Sequence, residues 1–164
     1  MKRKLKLNRI ILGGILLGSL SIFGVPLMIT HKVCPIGGEE FKDSYVPQCP
    51  TNKFVMFKNE FTEEELKKYE KIINSEEYRE IPRNSNKYYY LARFYEMLGG
   101  VSDKEIGKTY FNSYHYYSEN KEIKREALQK GISYLEKAEK KDYEVMWNLA
   151  NLYSEAEEYD KMNK

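Results

Sequence analysis

Hydrophobic and polar positions divide the chain into three stretches with different patterns. The first contains an uncharged apolar run from Ile10 to Ile29, the second is rich in turn residues, and from Thr62 onward apolar residues recur with helical spacing. An apolar helix of about 20 residues, rising about 1.5 Å per residue, spans the roughly 30 Å hydrocarbon layer of a bilayer. We therefore predict a transmembrane helix over Ile10 to Ile29.

The remainder from Thr62 onward predicts a succession of helices. Thr62 and Glu65 have the spacing of a capping box, which satisfies free backbone N–H groups at a helix start. Pro82 sets an outer limit for this first helix, which we extend through Ser75 to Tyr78. The helical spacing of apolar residues predicts four more helices. They cover 87–98, Ser102 to about 117, about 121–140 and 143 to about 158.

The segment between the apolar run and the first helix contains two similar elements. Cys34 and Cys49 are each followed by proline and by turn-forming residues. The run from Phe54 to Phe57 is β-prone and could pair with residues 40–41 or with residues 45–46. The pattern predicts a short β-hairpin with two Cys-Pro turns.

The two cysteines have three possible states. Zinc ribbons supply two C-x-x-C pairs, but Gly37 and Asn52 stand at the second cysteine positions, and only His31 offers a third ligand. In a small module outside the cytoplasm, an even pair of cysteines favours a disulfide. We predict a Cys34–Cys49 disulfide, with free buried thiols and a zinc site as the alternatives.

Charge is distributed unevenly along the chain. Lys and Arg number 27, and six of them precede Val33, whereas all 25 acidic residues follow it; residues 33–164 therefore carry 21 basic and 25 acidic groups, a net charge of −4. A mildly acidic domain lacks the basic surface that neutralises phosphates, so we exclude nucleic acid as a partner.

The basic N-terminal flank also predicts membrane topology. Positive residues before an apolar segment stay in the cytoplasm, so the chain after Ile29 is expected outside it. A cleaved secretory signal is the alternative, but the apolar run is long and no small-x-small cleavage site ends it. Gly14 and Gly18 have the spacing at which two membrane helices approach closely, which would allow a homodimer.

Two segments share the pattern L-A-x-x-Y, from Leu91 to Tyr95 and from Leu149 to Tyr153. This pattern resembles the first-helix signature of tetratricopeptide repeats, in which the small residue allows close helix packing and the tyrosine fills a groove. The two segments are 58 residues apart, which is not a multiple of the 34-residue repeat. The resemblance therefore implies an irregular or truncated antiparallel helical array.

A broader resemblance covers residues 34–164. The order CPxGGxxF, a second Cys-Pro, F-V-M-F, F-T-E-E-E-L and a tyrosine-rich L-A helix resembles an uncharacterised bacterial family, catalogued as a domain of unknown function. That family pairs a small Cys-Pro module with an α-helical array, although the spacer between the two Cys-Pro elements is unusually short here. The resemblance implies no catalytic residues.

No constellation of side chains points to catalysis or to a cofactor. The sequence has no glycine-rich phosphate loop, no G-x-S-x-G and no H-E-x-x-H. His115 has no cysteine or paired acid at metal-ligand spacing, and acidic groups such as Glu63 to Glu65 fall at helix ends. We therefore expect a protein without enzymatic activity, without a cofactor and without a metal site.

The 15 tyrosines cluster at 88–90 and 110–117. Adjacent helical residues point about 100° apart, so some of these rings must face solvent or a groove, where tyrosine suits contact with a peptide or a glycan. The alternative is that they fill the core. The candidate partner-binding residues are Tyr88, Tyr89, Tyr114, Tyr116 and Trp147.

These patterns predict a mainly α protein in three parts: a basic flank with a transmembrane signal anchor (1–32), a Cys-Pro hairpin module (33–61) and a tetratricopeptide-like helical domain (62–164). The predicted function is that of a membrane-anchored interaction module of the bacterial envelope, which binds a protein or peptide outside the cytoplasm. The alternative is a thiol/disulfide redox or zinc-binding module built on Cys34 and Cys49.

Overall fold

The computed structural model describes residues 29–116, 120–139 and 141–162, and this part of the chain is mainly helical. Two short strands precede the helices. In chain order the elements are β1 (Thr30–Val33), β2 (Glu40–Asp43), α1 (Glu63–Ile73), α2 (Glu76–Arg79), α3 (Lys87–Leu98), α4 (Asp103–His115), α5 (Lys121–Lys137) and α6 (Tyr143–Met162).

The predicted hairpin exists, but with different strands. β1 pairs with β2 in antiparallel register, with Val33 opposite Glu40 and Thr30 opposite Asp43. β1 thus includes residues that we assigned to the anchor segment.

The run from Phe54 to Phe57 adds no strand and makes a single bridge, from Val55 to Gln48, so the predicted pairing with 40–41 or 45–46 is wrong. In a strand, residues three apart point to opposite faces. Phe54 and Phe57 instead pack against each other, with ring centroids 6.3 Å apart, and both contact Tyr69 and Phe94. Burial of both rings on one side is incompatible with regular strand pairing.

Three predicted helix boundaries are confirmed. Thr62 accepts a hydrogen bond from the Glu65 N–H while the Glu65 carboxylate accepts one from the Thr62 N–H, which completes the capping box. Ser102 caps α4 in the same way, by accepting from the Glu105 N–H. α3 has the predicted bounds and ends at Gly99, whose φ of 67° is a conformation that favours glycine.

The first helix is shorter than predicted because Ser75 interrupts it. Its Oγ accepts a hydrogen bond from the Tyr78 N–H and donates one to the Ile72 carbonyl, so it ends α1 locally and begins α2. α5 also ends earlier than predicted, at Lys137, whereas α6 extends past residue 158 to Met162.

Two glycines allow the last three helices to pack closely. A Cβ at Gly107 of α4 would lie 2.7 Å from Leu135 Cγ of α5, and a Cβ at Gly131 of α5 would lie 2.8 Å from Leu152 Cδ1 of α6. Leu135 and Leu152 are both fully buried. The absence of a side chain at these two positions therefore sets the α4–α5 and α5–α6 contacts.

The hairpin module and the helices share one hydrophobic core. Its centre is an aromatic cluster in which Phe54 is fully buried and lies 5.9 Å from the ring of Tyr69 on α1 and 5.7 Å from the ring of Phe94 on α3. Phe57 and Phe61 complete the cluster at similar distances. Contacts between aromatic rings thus join the Cys-Pro segment to the helical layer.

The predicted membrane segment is outside the structural description apart from its last residue. Residues 10–28, with Gly14 and Gly18, are not among the described residues, and Ile29 is exposed. In the part of the chain that is described, no helix combines the length and apolar character needed to span a bilayer.

Candidate functional site

Cys34 and Cys49 form the predicted disulfide. Their sulfurs are 2.09 Å apart and their Cα atoms 5.6 Å apart, and both residues are almost completely buried. Sulfurs joined in this way are not the thiolates that zinc requires. Across the described ranges, no three His, Cys, Asp or Glu residues are grouped to hold a metal ion.

The disulfide joins two turns with the same hydrogen-bonding pattern. In the first Cys-Pro turn (34–38), the Cys34 N–H donates to the Glu39 carbonyl at 2.8 Å and the Gly38 N–H donates to the Cys34 carbonyl at 3.1 Å. In the second Cys-Pro turn (49–53), Cys49 donates to Phe54 and Lys53 donates to Cys49 at the same two distances. The similarity noted in the sequence is therefore a similarity of backbone structure.

Asn52 connects the two turns beside the disulfide. Its Nδ2 donates to the Ile36 carbonyl at 2.7 Å, and its Oδ1 accepts from the Phe54 N–H at 2.9 Å. Asn52 stands where a zinc ribbon would have its second cysteine, and here it supplies hydrogen bonds in place of a metal ligand.

The second Cys-Pro turn is also bound to the helices. Lys53 has a φ of 62°, and its carbonyl accepts hydrogen bonds from Tyr78 Oη at 2.9 Å and from Gln48 Nε2 at 3.0 Å. Burial of Tyr78 raises the pKa of its phenol well above the ordinary value, so the hydroxyl stays protonated and can donate over the physiological range. Tyr78 therefore fixes the second turn against α2.

Two of the five predicted partner-binding residues lie in the core. Tyr89 is buried against Tyr110, with ring centroids 6.1 Å apart. Tyr114 is buried as well; its hydroxyl donates to Glu155 on α6 at 2.7 Å, and Lys124 Nζ lies 4.8 Å from its ring centroid. These two rings are not available to a partner in this conformation. They fill the core, which was the alternative interpretation of the tyrosines.

Tyr88 and Tyr116 form a separate surface contact. Their ring centroids are 5.3 Å apart, Tyr116 is exposed and Tyr88 is half-buried. Lys87 Nζ lies 5.9 Å from the Tyr116 ring centroid. Burial and the neighbouring Tyr116 raise the pKa of Tyr88. The structure thus brings together two predicted residues at the junction of the α3 start and the α4 end.

Trp147 lies elsewhere, on the solvent side of α6. It is 51% exposed and belongs to a row of exposed residues that we call the α6 outer face, formed by Tyr143, Met146, Trp147, Ala150 and Tyr153. Their spacing follows one side of a helix. The opposite side is buried through Val145, Asn148 and Leu152.

The row along α6 is a feature that the sequence interpretation missed apart from Trp147. Val145, Leu149, Leu152 and Ala156 already account for one buried stripe at helical spacing. The other apolar residues of α6 fall on the opposite side of the helix. Because they exceed what one buried stripe needs, they were the sequence signal for an exposed apolar face.

Aromatic residues of α4 lie at one edge of this face. Phe111 is 5.7 Å from Trp147 and 4.4 Å from His115, measured between ring centroids. Burial lowers the pKa of His115 despite the opposing influence of Glu155, so the imidazole is mainly neutral at pH 7. Phe111 and a mainly neutral His115 therefore border the α6 outer face with aromatic rings.

Comparison of the chain with protein-family models, with curated proteins and with solved structures found no match. The function is therefore inferred from the geometry of this chain.

Proposed function

We propose that the chain is a membrane-anchored interaction module of the bacterial envelope, without catalytic activity of its own, that binds a partner protein through the α6 outer face. The observation that carries the proposal is the row of exposed apolar side chains on α6. Tyr143 and Met146 are 77% and 52% exposed, and Trp147 and Tyr153 are similarly accessible. Contiguous apolar surface of this kind marks interaction sites on soluble domains.

A comparison with α3 supports a helical partner. α3 carries the same L-A-x-x-Y pattern, and its Leu91, Ala92 and Tyr95 are all buried because α3 packs between α1 and α4. On α6, which packs on α4 and α5, the corresponding Ala150 and Tyr153 are exposed. Leu149 still packs against the core and the Tyr153 hydroxyl donates to Glu136 of α5 at 2.6 Å, but the pattern that is buried on α3 is largely exposed on α6.

Charge indicates what kind of helix would fit. Between Tyr143 and Glu157, α6 contains three glutamates and no lysine or arginine. Glu144 is paired with Lys104 and Lys108, whereas Glu157 is exposed at the C-terminal end of the apolar row. The partner that we propose is therefore an amphipathic helix with an apolar face flanked by lysine or arginine.

The helices would form an irregular array of the tetratricopeptide type. In a regular array, each repeat has two helices, so the first helices of any two repeats have an odd number of helices between them. The two L-A-x-x-Y helices, α3 and α6, have two helices between them. The proposed array is therefore not a set of equivalent repeats, which agrees with the 58-residue spacing of the pattern.

Anchoring and compartment complete the proposal. The uncharged run Ile10 to Ile29 with its basic flank would hold the chain in the membrane with the helical domain outside the cytoplasm. A structural disulfide is consistent with that oxidising side. The redox and zinc alternative has no support from the site, because both sulfurs are buried and thiol exchange requires an accessible sulfur.

Site-specific photo-crosslinking tests the proposed surface in intact envelopes. Benzoylphenylalanine would replace Trp147 or Tyr153 in the full chain, and Tyr45, which is 99% exposed on the hairpin module, provides the matched control position. We expect positions 147 and 153 to give adducts with one protein, through an apolar helical segment that carries lysine or arginine. Met146→Glu in the same chain should reduce the yield of these adducts.

Three outcomes would overturn the proposal. Positions 147, 153 and 45 could give the same adducts, which would mean that the α6 outer face has no special role. The adducts could contain only a second copy of this chain, which would make the face a self-association surface. The face could also give no adducts at all.

A further inference from the structure

A cavity of about 340 Å³ lies where the second Cys-Pro turn meets the end of α1, α2 and the beginning of α3. Thr51 and Asn52 belong to one wall, and buried side chains of Ile73, Tyr78 and Tyr90 also line the cavity. A cavity of this size falls within the range of sites for small molecules. It is separate from the α6 outer face.

The charged residues that line the cavity are all basic. They are Lys53, Arg79 and Arg83, and no aspartate or glutamate among the residues that the structure describes lines it. Within the described part of the chain, none of the three forms an ion pair with a carboxylate. Arg79 Nη2 donates to Asn74 Oδ1 at 2.8 Å, which holds this guanidinium at the cavity edge.

The backbone at Lys53 provides a second, independent observation. Its φ of 62° is the left-handed conformation, in which a side chain is unfavourable and glycine is preferred. The corresponding position of the first Cys-Pro turn is Gly38, with a φ of 72°. The second turn therefore has a lysine where its structural counterpart has the favoured glycine, and Lys53 lines the cavity together with Arg79 and Arg83.

We propose that this cavity binds a phosphate group through Lys53, Arg79 and Arg83. Arginine presents a planar set of donors that matches phosphate oxygens, and lysine adds a point charge. Three positive groups suit a phosphate with up to two negative charges better than a singly charged carboxylate. Asn74 lines the cavity as well and offers a polar contact to the rest of such a ligand.

Binding to the full chain in neutral detergent tests the site. Calorimetric titration with glycerol 3-phosphate should give saturable binding, and acetate at equal ionic strength should bind at least tenfold more weakly. Arg79→Gln and Arg83→Gln should each weaken the binding about three- to tenfold. Arg125→Gln is the matched control, because Arg125 is an exposed arginine on α5 that does not line the cavity.

Lys53→Gly separates a binding role from a structural one. Glycine fits the left-handed position, so this variant should melt at the same temperature as the unmodified protein or higher while binding glycerol 3-phosphate more weakly. A variant that binds normally would remove Lys53 from the site. Equal losses in Arg79→Gln, Arg83→Gln and Arg125→Gln would show a non-specific charge effect and overturn the proposal.

Mixed micelles distinguish the sources of the phosphate. Calorimetric binding of the detergent-solubilised full chain to micelles that contain phosphatidylglycerol but not to micelles that contain phosphatidylcholine, reduced by Arg79→Gln, would identify a lipid headgroup. Binding of glycerol 3-phosphate with no such preference would identify a soluble phosphate ligand. Either result supports a phosphate site, whereas binding of neither probe, or acetate binding as tight as that of glycerol 3-phosphate, would contradict it.

Discussion

The two Cys-Pro turns have the same backbone hydrogen bonds but different surroundings. Each closes through a cysteine N–H and a return bond four residues later, at matching distances. The first turn has Gly38 at the left-handed position, and the second has Lys53. The two turns thus share one backbone structure, although they carry different side chains at the left-handed position and lie against different helices.

Those neighbours differ in charge and in hydrogen bonding. The first turn borders a smaller cavity, of about 250 Å³, whose lining includes Glu63 and Glu70 of α1 as well as Lys67. The second borders the cavity of Lys53, Arg79 and Arg83. Only for the second turn does the described structure show a buried tyrosine hydroxyl bonded to the turn carbonyl.

Removal of the link between the turns should have the largest effect on stability. The double variant Cys34→Ala/Cys49→Ala opens a loop closed over a separation of 15 residues, for which about 3 kcal/mol of stabilisation is expected. Urea unfolding of the detergent-solubilised chain measures this loss, and the unmodified chain with reductant is the control. A loss below about 1 kcal/mol would show that Asn52 and the aromatic cluster hold the turns without the disulfide.

Tyr78→Phe should weaken the attachment of the second turn alone. It deletes the 2.9 Å hydrogen bond to the Lys53 carbonyl, at an expected cost of about 1–2 kcal/mol, because the partner atoms are largely buried. Tyr90→Phe is the matched control, since the Tyr90 hydroxyl makes longer bonds, of 3.3 and 3.4 Å, to Ile81 and Pro82. Equal urea midpoints for both variants would contradict the assignment.

Alkaline pH should reduce the advantage of tyrosine over phenylalanine at position 78. Burial raises the pKa of Tyr78 in the folded state, so its stabilising effect is complete below the ordinary value of 10 and is lost as the unfolded phenol ionises. From pH 9 to 11 the free-energy difference between the unmodified chain and Tyr78→Phe should fall by about 1.4 kcal/mol. A difference independent of pH would mean that Tyr78 is not buried as a neutral phenol.

The smallest effect on stability is expected from exchanging the residue types at the left-handed positions of the two turns, Gly38 and Lys53. Gly38→Lys should cost about 1 kcal/mol through backbone strain alone, because no atom of the described residues, apart from those of its two chain neighbours, lies within 4 Å of the added Cβ. Lys53→Gly should cost nothing in the same thermal unfolding assay. If both variants are equally destabilised, the side chain of Lys53 contributes to stability and the two turns are not equivalent.

Local signals predicted three of the helix boundaries correctly. Thr62, Ser102 and Gly99 act at the positions where the sequence placed them, because capping depends on residues within one turn of the helix. The disulfide was predicted on a different basis, from the expected compartment and the even number of cysteines. The break at Ser75 was missed because its Oγ bonds to both neighbouring segments, and the sequence pattern ran on through it.

Long-range packing accounts for the remaining differences. Phe54 and Phe57 leave strand geometry to reach Tyr69 and Phe94, which are close only in the folded chain. The helical period shows which residues share one face of a helix, but it does not show whether another element packs on that face. Burial of a tyrosine such as Tyr89 therefore depends on neighbours in space. The basic cavity joins residues from three separate segments, and no sequence motif contains them.

Cysteine labelling at Trp147→Cys tests whether a partner covers the α6 outer face in cells. Both native cysteines are in the disulfide, so the new thiol would be the one site for a membrane-impermeant maleimide. Tyr45→Cys is the reference, because Tyr45 is 99% exposed and far along the chain from α6. We predict that intact cells label at position 45 at the rate of the purified protein, but label at position 147 several-fold more slowly because a partner covers α6. If the ratio of the labelling rate in intact cells to that in purified protein is the same at positions 45 and 147, the α6 outer face is not covered. If position 45 is not labelled in intact cells, the domain is not outside the cytoplasm.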